Sequence, residues 1–337
     1  MKDIRLTRRA FGTTLAGVGS FAIIGRATQA QAAPISLRMS SSLPADPNSA
    51  HWLWYDTFQK SLKAKVGDAI EIKYFPDNQL GKEADICGQV KLGIVDMMIS
   101  GSSIWATLAP EIGVLDLGYL FNNMDAAGPV LDGNAGKVLN GIFADKIGVE
   151  VVSWAYSLGG RNVAARTPAN TPALLKGQKI RVLPVANFVA TLKAMGASPT
   201  PMSLGEVYTA LQTGVIDGME HDAPTVLALK CYEVAKHISL TQHICNPQTI
   251  VIGKRALSKI PTEHLPAFRA AAAEASAFQR GKANEIEAAA FATLKGNGIT
   301  FHDVDRGAFK QLVMPLWDEF AKSYPATKPV LDAITKA

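Results

Sequence analysis

Two arginines carry the strongest chemical signal in this chain of 337 residues. Arg181 lies inside the apolar run KIRV, where an unpaired charge would be costly. Arg161 follows Gly159-Gly160 at the end of a strand-like run. A guanidinium offers donors in a planar fork that matches a carboxylate bidentately. Two such groups near the ends of neighbouring strands suit the capture of one anion, at the open end of a parallel sheet where ligands usually bind. They suit equally a pair of internal salt bridges with Glu83 or Glu220. On the residues alone both readings stand.

Histidines come next. His221, His237 and His243 fall within a short span, with Glu220 and Asp222 beside the first. A zinc site is conceivable there, and a metal-dependent hydrolase with it, but HExxH and HxH spacings are absent. No metal is expected. His221 suits a donor to an anionic ligand, with Asp222 as acceptor for a hydroxyl. Gly101-Ser102-Ser103 follows a strand-like run and either offers Ser102 to a ligand or merely connects two elements. Trp154 and Tyr156 share one face of a further strand, and Tyr156, nearer its end, is the better ligand candidate. No GxSxG, GxxxxGK or post-strand GxGxxG motif occurs. No nucleophile stands beside a base and no cofactor is expected. The pattern suits a protein that holds a small molecule rather than one that transforms it.

The elements that must position these groups alternate between strand and helix. Residues 35–40 read as a strand. Trp52, Tyr55, Phe58 and Leu62 then recur at helical spacing. Residues 69–75 alternate with period two, 81–92 read as a helix and 95–100 as a buried strand. Residues 149–157 and 178–183 are further strands. Ser203-Leu204-Gly205-Glu206 is a capping box that opens a helix running to Gly214, a left-handed stop. A strand-like VIDGMEHD follows. Residues 261–296 hold one helical pattern, long enough to lie across two domains. Residues 299–304 close the series, with two C-terminal helices after them. Strands alternating with helices predict an α/β fold with parallel sheets flanked by helices. Without a linker between domains, strands must cross from one to the other and serve as the hinge.

Composition narrows the class. Hydrophobic residues make up 48% and charged residues 19%, which suits sizeable cores and argues against disorder. The formal net charge of +5 is a local matter. Five of 34 basic residues and one of 29 acidic residues lie in the first 32 positions, so the remainder carries about +1. No basic stripe suggests nucleic acid. Residues 1–32 read as an export signal: the twin arginine of Thr7-Arg8-Arg9-Ala10-Phe11, a short apolar stretch, and a small-residue cleavage site ending at Ala32. No other apolar run is long enough to span a membrane, so a periplasmic location is expected. Cys87, Cys231 and Cys245 are odd in number and lack CxxC spacing, so they read as small buried apolar residues.

Four segments carry a resemblance: LGKEADICGQVKLGIVDMM, GGRNVAARTPANTPALLKGQKIRV, MGASPTPMSLGEVYTALQTGVIDGMEHDAPT and YEVAKHISLTQH. In the same order, over essentially the whole chain after residue 32, the sequence resembles the solute-binding proteins of tripartite ATP-independent periplasmic (TRAP) transporters, the DctP type. The resemblance implies a two-lobed α/β fold, each lobe a mainly parallel sheet flanked by helices, with a long helix bracing both. It places one lobe at 33–157 plus 244–285 and the other at 158–243 plus 286–320, with a C-terminal helix at 321–337. It implies that Arg181 binds a substrate carboxylate and that Arg161 assists. Glu83 and Ser102 match first-lobe positions that reach the ligand. The sequence departs from the family where asparagine is frequent, carrying His221-Asp222 instead, and in having Gly118 where a proline is common. The implied partners are a small organic anion, a hydroxy acid or sugar acid before an apolar acid, and a membrane permease. A sensory ligand-binding protein without a transporter is the remaining alternative.

Overall fold

A computed structural model describes residues 33–335, and the expected export signal lies outside them. The first strand, β1 (Ile35–Ser40), pairs in parallel with β2 (Ile70–Phe75) and with β3 (Met97–Gly101). Helices Ala50–Val66 and Glu83–Leu92 form the crossovers. Ser49 caps the first of these through a side-chain bond from the amide of Trp52, and Trp54, Phe58 and Leu62 line its buried face. β4 (Val149–Ala155) ends this part and leads directly into β5 (Arg161–Ala165), which belongs to a second sheet. That sheet continues with β6 (Lys179–Val182), β7 (Ser198–Pro201), β8 (Gly218–His221) and β9 (His237–Ile244). The chain then returns through Cys245-Asn246-Pro247 to β10 (Gln248–Gly253) in the first sheet, and β11 (Thr300–His302) edges the second.

The strand orders are β2-β1-β3-β10-β4 and β11-β9-β5-β8-β6-β7. Five pairings are parallel and four antiparallel. The expectation of parallel sheets therefore needs one correction, and its physical cause is the crossing. A chain that leaves one sheet and comes back alongside itself must run in the opposite direction. β4 and β10 are antiparallel neighbours in the first sheet, and β5 and β9 are antiparallel neighbours in the second. A single two-stranded ribbon thus runs through both.

The long helix, Leu265–Gly296, begins four residues later than the periodicity suggests, because residues 254–257 form a short helix and a turn precedes Leu265. Its 32 residues span about 48 Å at 1.5 Å per residue. Phe268, Ala271, Ala272 and Ala275 pack into the core behind the first sheet. Ala290 and Leu294 pack behind the second. Midway, Gln279 accepts from the amide of Tyr156 at 3.0 Å and donates to its carbonyl at 2.6 Å, holding the ribbon where it crosses. The capping box forms as expected, with the Ser203 amide donating to Glu206 at 3.2 Å. Cys87, Cys231 and Cys245 are free and buried.

Candidate functional site

Strand alternation places Arg181 between Ile180 and Val182, all three without measurable exposure. Its Nε donates to the carbonyl of Met202 at 2.9 Å. Its Nη1 is buried and has no hydrogen-bond partner among the described residues. Burial lowers this guanidinium to about 10 even though Glu220 and Glu83 pull the other way. A cation held out of water with a free donor is strained electrostatically and will gain from a second anion.

Arg161 is satisfied by contrast. Its Nε and Nη2 donate to the two carboxylate oxygens of Glu220, the latter at 2.9 Å, and Nη2 also donates to the Glu220 carbonyl at 2.9 Å. The β5–β8 register makes the pair, since Val163 lies opposite Glu220 and Asn162 opposite His221. The guanidinium stacks over Phe188 at 5.1 Å from the ring centroid. Burial works against the Glu220 charge, but Arg161 and His243 hold this carboxyl at about 2. His243 Nε2 stands 3.4 Å from Glu220, an electrostatic contact too poorly aligned for a hydrogen bond. The internal salt bridge is thus formed by Arg161 with Glu220, while Arg181 makes none.

Both arginines face a small pocket of about 30 Å³ between the sheets, walled on the second-sheet side also by Leu183, Leu204 and His221. Asp222 caps the helix Ala223–Ala228, accepting from the Thr225 amide at 2.9 Å. Its other carboxylate oxygen lies 3.0 Å from His221 Nδ1. Burial and the nearby Arg161 lower His221, so the ring is neutral at pH 7. The Asp222 amide also donates to Nδ1 at 3.0 Å, so that nitrogen is engaged by Asp222 and Nε2 is the ring atom left over. Asp222 itself does not line the pocket and contacts the histidine that does.

The first sheet supplies Ser42, Leu43, His51, Glu83 and Gly101, and the returning crossing supplies Asn246 and Gln248. Burial raises the Glu83 carboxyl, with Ser42, Arg181 and Arg161 opposing. Ser102 is fully buried behind the lining, its Oγ without a partner among the described residues. Its neighbour Gly101 forms the wall instead, and a Cβ there would strike Asn246 Nδ2 at 2.6 Å.

One expectation is corrected. Tyr156 is not at the pocket. The strand ends at Ala155, its alternation breaks at the crossing, and the Tyr156 ring turns to the far side against Gly128 and under the Arg280 guanidinium at 5.1 Å. The histidines also separate. His237 contacts His302 at 3.0 Å, and His243 contacts Thr241 at 2.9 Å. Among the described residues no group of three or more metal-ligating side chains assembles. Sequence reasoning missed His51, Asn246 and Gln248. They come from a helix start and a strand entry that carry no motif.

A wider groove of about 960 Å³ runs along edge strand β2. Its rim charges are exposed and pair with one another, Lys63 with Asp68 at 3.0 Å and Lys73 with Glu71 at 3.6 Å. Among the described residues it presents no buried unsatisfied cation, unlike the smaller pocket.

Two sheets joined by a continuous ribbon, braced by one helix and closing on a buried cation, define a two-lobed solute-binding protein. Residues 44–323 match the family model DctP, bacterial extracellular solute-binding protein, family 7. The chain belongs to that family, the periplasmic solute-binding proteins of TRAP transporters, which hold small organic acids for a membrane permease. It is 35% identical over 280 residues to the 2,3-diketo-L-gulonate-binding periplasmic protein YiaO of Escherichia coli, covering 82% of this chain and 85% of that one. It superposes with a TM-score of 0.84 and 32% identity on a TRAP solute-binding protein from Xanthobacter autotrophicus with bound β-D-galacturonate, covering 89% of this chain and 99% of the other. A Chromohalobacter salexigens protein with bound D-glucuronate gives 0.84 at 28% identity, covering 89% and 99%. No helix among the described residues is long and apolar enough to cross a membrane.

Proposed function

We propose that this protein captures a sugar acid, a polyhydroxylated small carboxylate, and presents it unchanged to the membrane subunits of its transporter. The observation that carries the reading is Arg181 Nη1, a buried guanidinium donor without a partner on the wall of an interlobe pocket. The ligand carboxylate pairs with Arg181. Arg161, already neutralised by Glu220, adds donors and field rather than net charge. His221, held by Asp222, presents Nε2 for a hydrogen bond with a ligand oxygen, and Glu83 faces the same space. Ser102 supports the Gly101 wall from behind. A pocket so rich in hydrogen-bonding groups discriminates against an apolar acid, because each buried polar group left unpaired costs about 1–3 kcal/mol. The sugar acids bound by the relatives from Xanthobacter and Chromohalobacter support the ligand class.

At about 30 Å³ the pocket has room for no more than about two or three waters, since each needs ~10–15 Å³. Entry of a six-carbon acid therefore requires the lobes to part, with the crossings after Ala155 and Ile244 as hinge. The lobes divide as 33–157 with 244–285 and 158–243 with 286–320. Calorimetry against hexuronates, aldonates and apolar 2-oxo acids tests the reading. A sugar acid should bind tightest and be recovered chemically intact. Tighter binding of an apolar acid, or turnover of the bound acid, would overturn it.

A further inference from the structure

Across the pocket from Arg181 the first lobe presents, besides the Glu83 carboxyl, a pole of neutral polar groups. We propose that His51 and Gln248 form a second recognition point there, one that donates a hydrogen bond to a hydroxyl or keto oxygen at the ligand end remote from the carboxylate. The inference rests on the sugar-acid reading and extends it to the part of the molecule that distinguishes one sugar acid from another.

His51 is 2% exposed and Gln248 5%. His51 Nε2 lies 2.8 Å from Gln248 Oε1, and His51 Nδ1 lies 2.8 Å from Ser41 Oγ. The two residues are 197 positions apart, joined only by the fold. Burial lowers His51 to about 4, so the ring is neutral and carries one N–H at physiological pH. Gln248 Oε1 can only accept, so the single N–H of the neutral ring faces it from Nε2, and Nδ1 takes the Ser41 hydroxyl hydrogen in competition with the Leu43 carbonyl, 3.1 Å from the same Oγ. His51 Nε2–H then donates to Gln248 Oε1. That bond fixes the rotation of the amide, and the amide nitrogen is left without a protein acceptor among the described residues. Both side chains line the same pocket as Arg181. A fixed donor in a dry site is satisfied by a ligand oxygen and penalises a ligand that lacks one.

Ser41, His51 and Gln248 thus act as a unit in which Gln248 touches the ligand and His51 positions it. The second lobe recognises that the ligand is an acid. The first lobe recognises how the acid is oxygenated.

Calorimetry with D-galacturonate and with the shorter D-erythronate tests the proposal on the intact protein. In Gln248→Ala, affinity for galacturonate should fall by about 10- to 100-fold, while affinity for erythronate, which reaches from Arg181 only part of the way, changes by less than about threefold. His51→Gln keeps a donor toward Gln248 Oε1 and should retain most of the affinity for galacturonate, whereas His51→Ala should lose it. A His51→Ala loss that His51→Gln fails to restore would overturn the positioning role. Equal losses for both acids in Gln248→Ala, or none for galacturonate, would overturn the contact. Melting of each ligand-free variant shows whether it folds, and Gln248→Leu, which keeps the volume, replaces the alanine variant if that one does not. If wild type binds no sugar acid, the sugar-acid reading fails and takes this inference with it. If wild type binds and the Gln248 variants match it, only this inference fails.

Discussion

The two walls of the pocket solve recognition in opposite ways. The second-lobe wall is built from full charges, Arg161 and Arg181 with Glu220 between, all without access to water. The first-lobe wall opposite carries one carboxyl, Glu83, and is otherwise built from neutral groups, among them a histidine that burial keeps uncharged and an amide it holds. Charge attracts at a distance and tolerates small errors of position. A neutral hydrogen bond demands a particular atom at a particular place. Under the proposed binding mode the difference gives capture to one lobe and discrimination to the other. Of the two arginines one is cancelled within the protein by Glu220, and the proposal leaves the other for the ligand.

Removing the internal partner should do the most damage. Glu220→Gln leaves Arg161 buried without its counter-ion and should cost ~3–5 kcal/mol of folding stability, measured by denaturant unfolding without ligand. A cost below ~1 kcal/mol would mean that water reaches the pair. Arg181→Met should behave in the opposite sense. Sugar-acid affinity should fall by at least about 100-fold, near 3 kcal/mol at 1.4 per tenfold, while ligand-free stability holds or rises. Parallel losses in both assays would erase the distinction between the two arginines.

The neutral wall has a pH signature. His51 falls from the ordinary 6.5 to about 4 on burial. The unfolded chain therefore takes up a proton on this residue that the folded chain refuses. Stability is intact above 6.5, declines as pH drops toward 4, and loses nothing further below that from this residue. The decline amounts to ~3 kcal/mol, and His51→Gln should flatten it in pH-dependent unfolding, whereas an unaltered slope would place the decline on His221 and His243, which burial also lowers.

Gly159→Ala tests the ribbon that both walls share. Gly159 has φ +127, and a Cβ there would strike Glu287 on the long helix. A loss of ~1–3 kcal/mol should accompany weaker binding of every sugar acid alike, and a ligand-selective effect would count against a hinge. The smallest effect belongs to Lys82, whose ammonium reaches across to Glu206 at 2.9 Å between exposed side chains. Lys82→Ala should speed ligand dissociation by less than about threefold, with no effect at high salt.

Much of this was legible in the sequence where the signal is local. KIRV shows a charge inside an apolar strand, Ser203–Glu206 is a reciprocal cap, and the alanine-rich stretch before Gly296 has helical periodicity throughout. The two-readings problem for the arginines was not soluble that way. Arg161 finds Glu220 only because antiparallel pairing sets Val163 against it, 59 residues on. His51 and Gln248 meet through the closure of the first sheet. Tyr156 misled because alternation was extended one residue past the strand, where a glutamine on the long helix takes over the backbone. The export signal remains an expectation outside the described residues.

Because both lobes hang on one ribbon and one helix, parting them requires no strand to leave its sheet. What parting does change is the medium around Arg181. A charge pair at 4 Å is worth ~4 kcal/mol at the permittivity of a protein surface but ~1 kcal/mol in water. If Arg181 anchors the acid as proposed, the permease has no need to pull it free. Holding the cleft ajar is enough, since solvent dismantles the ion pair from within, and unloading becomes an act of wetting.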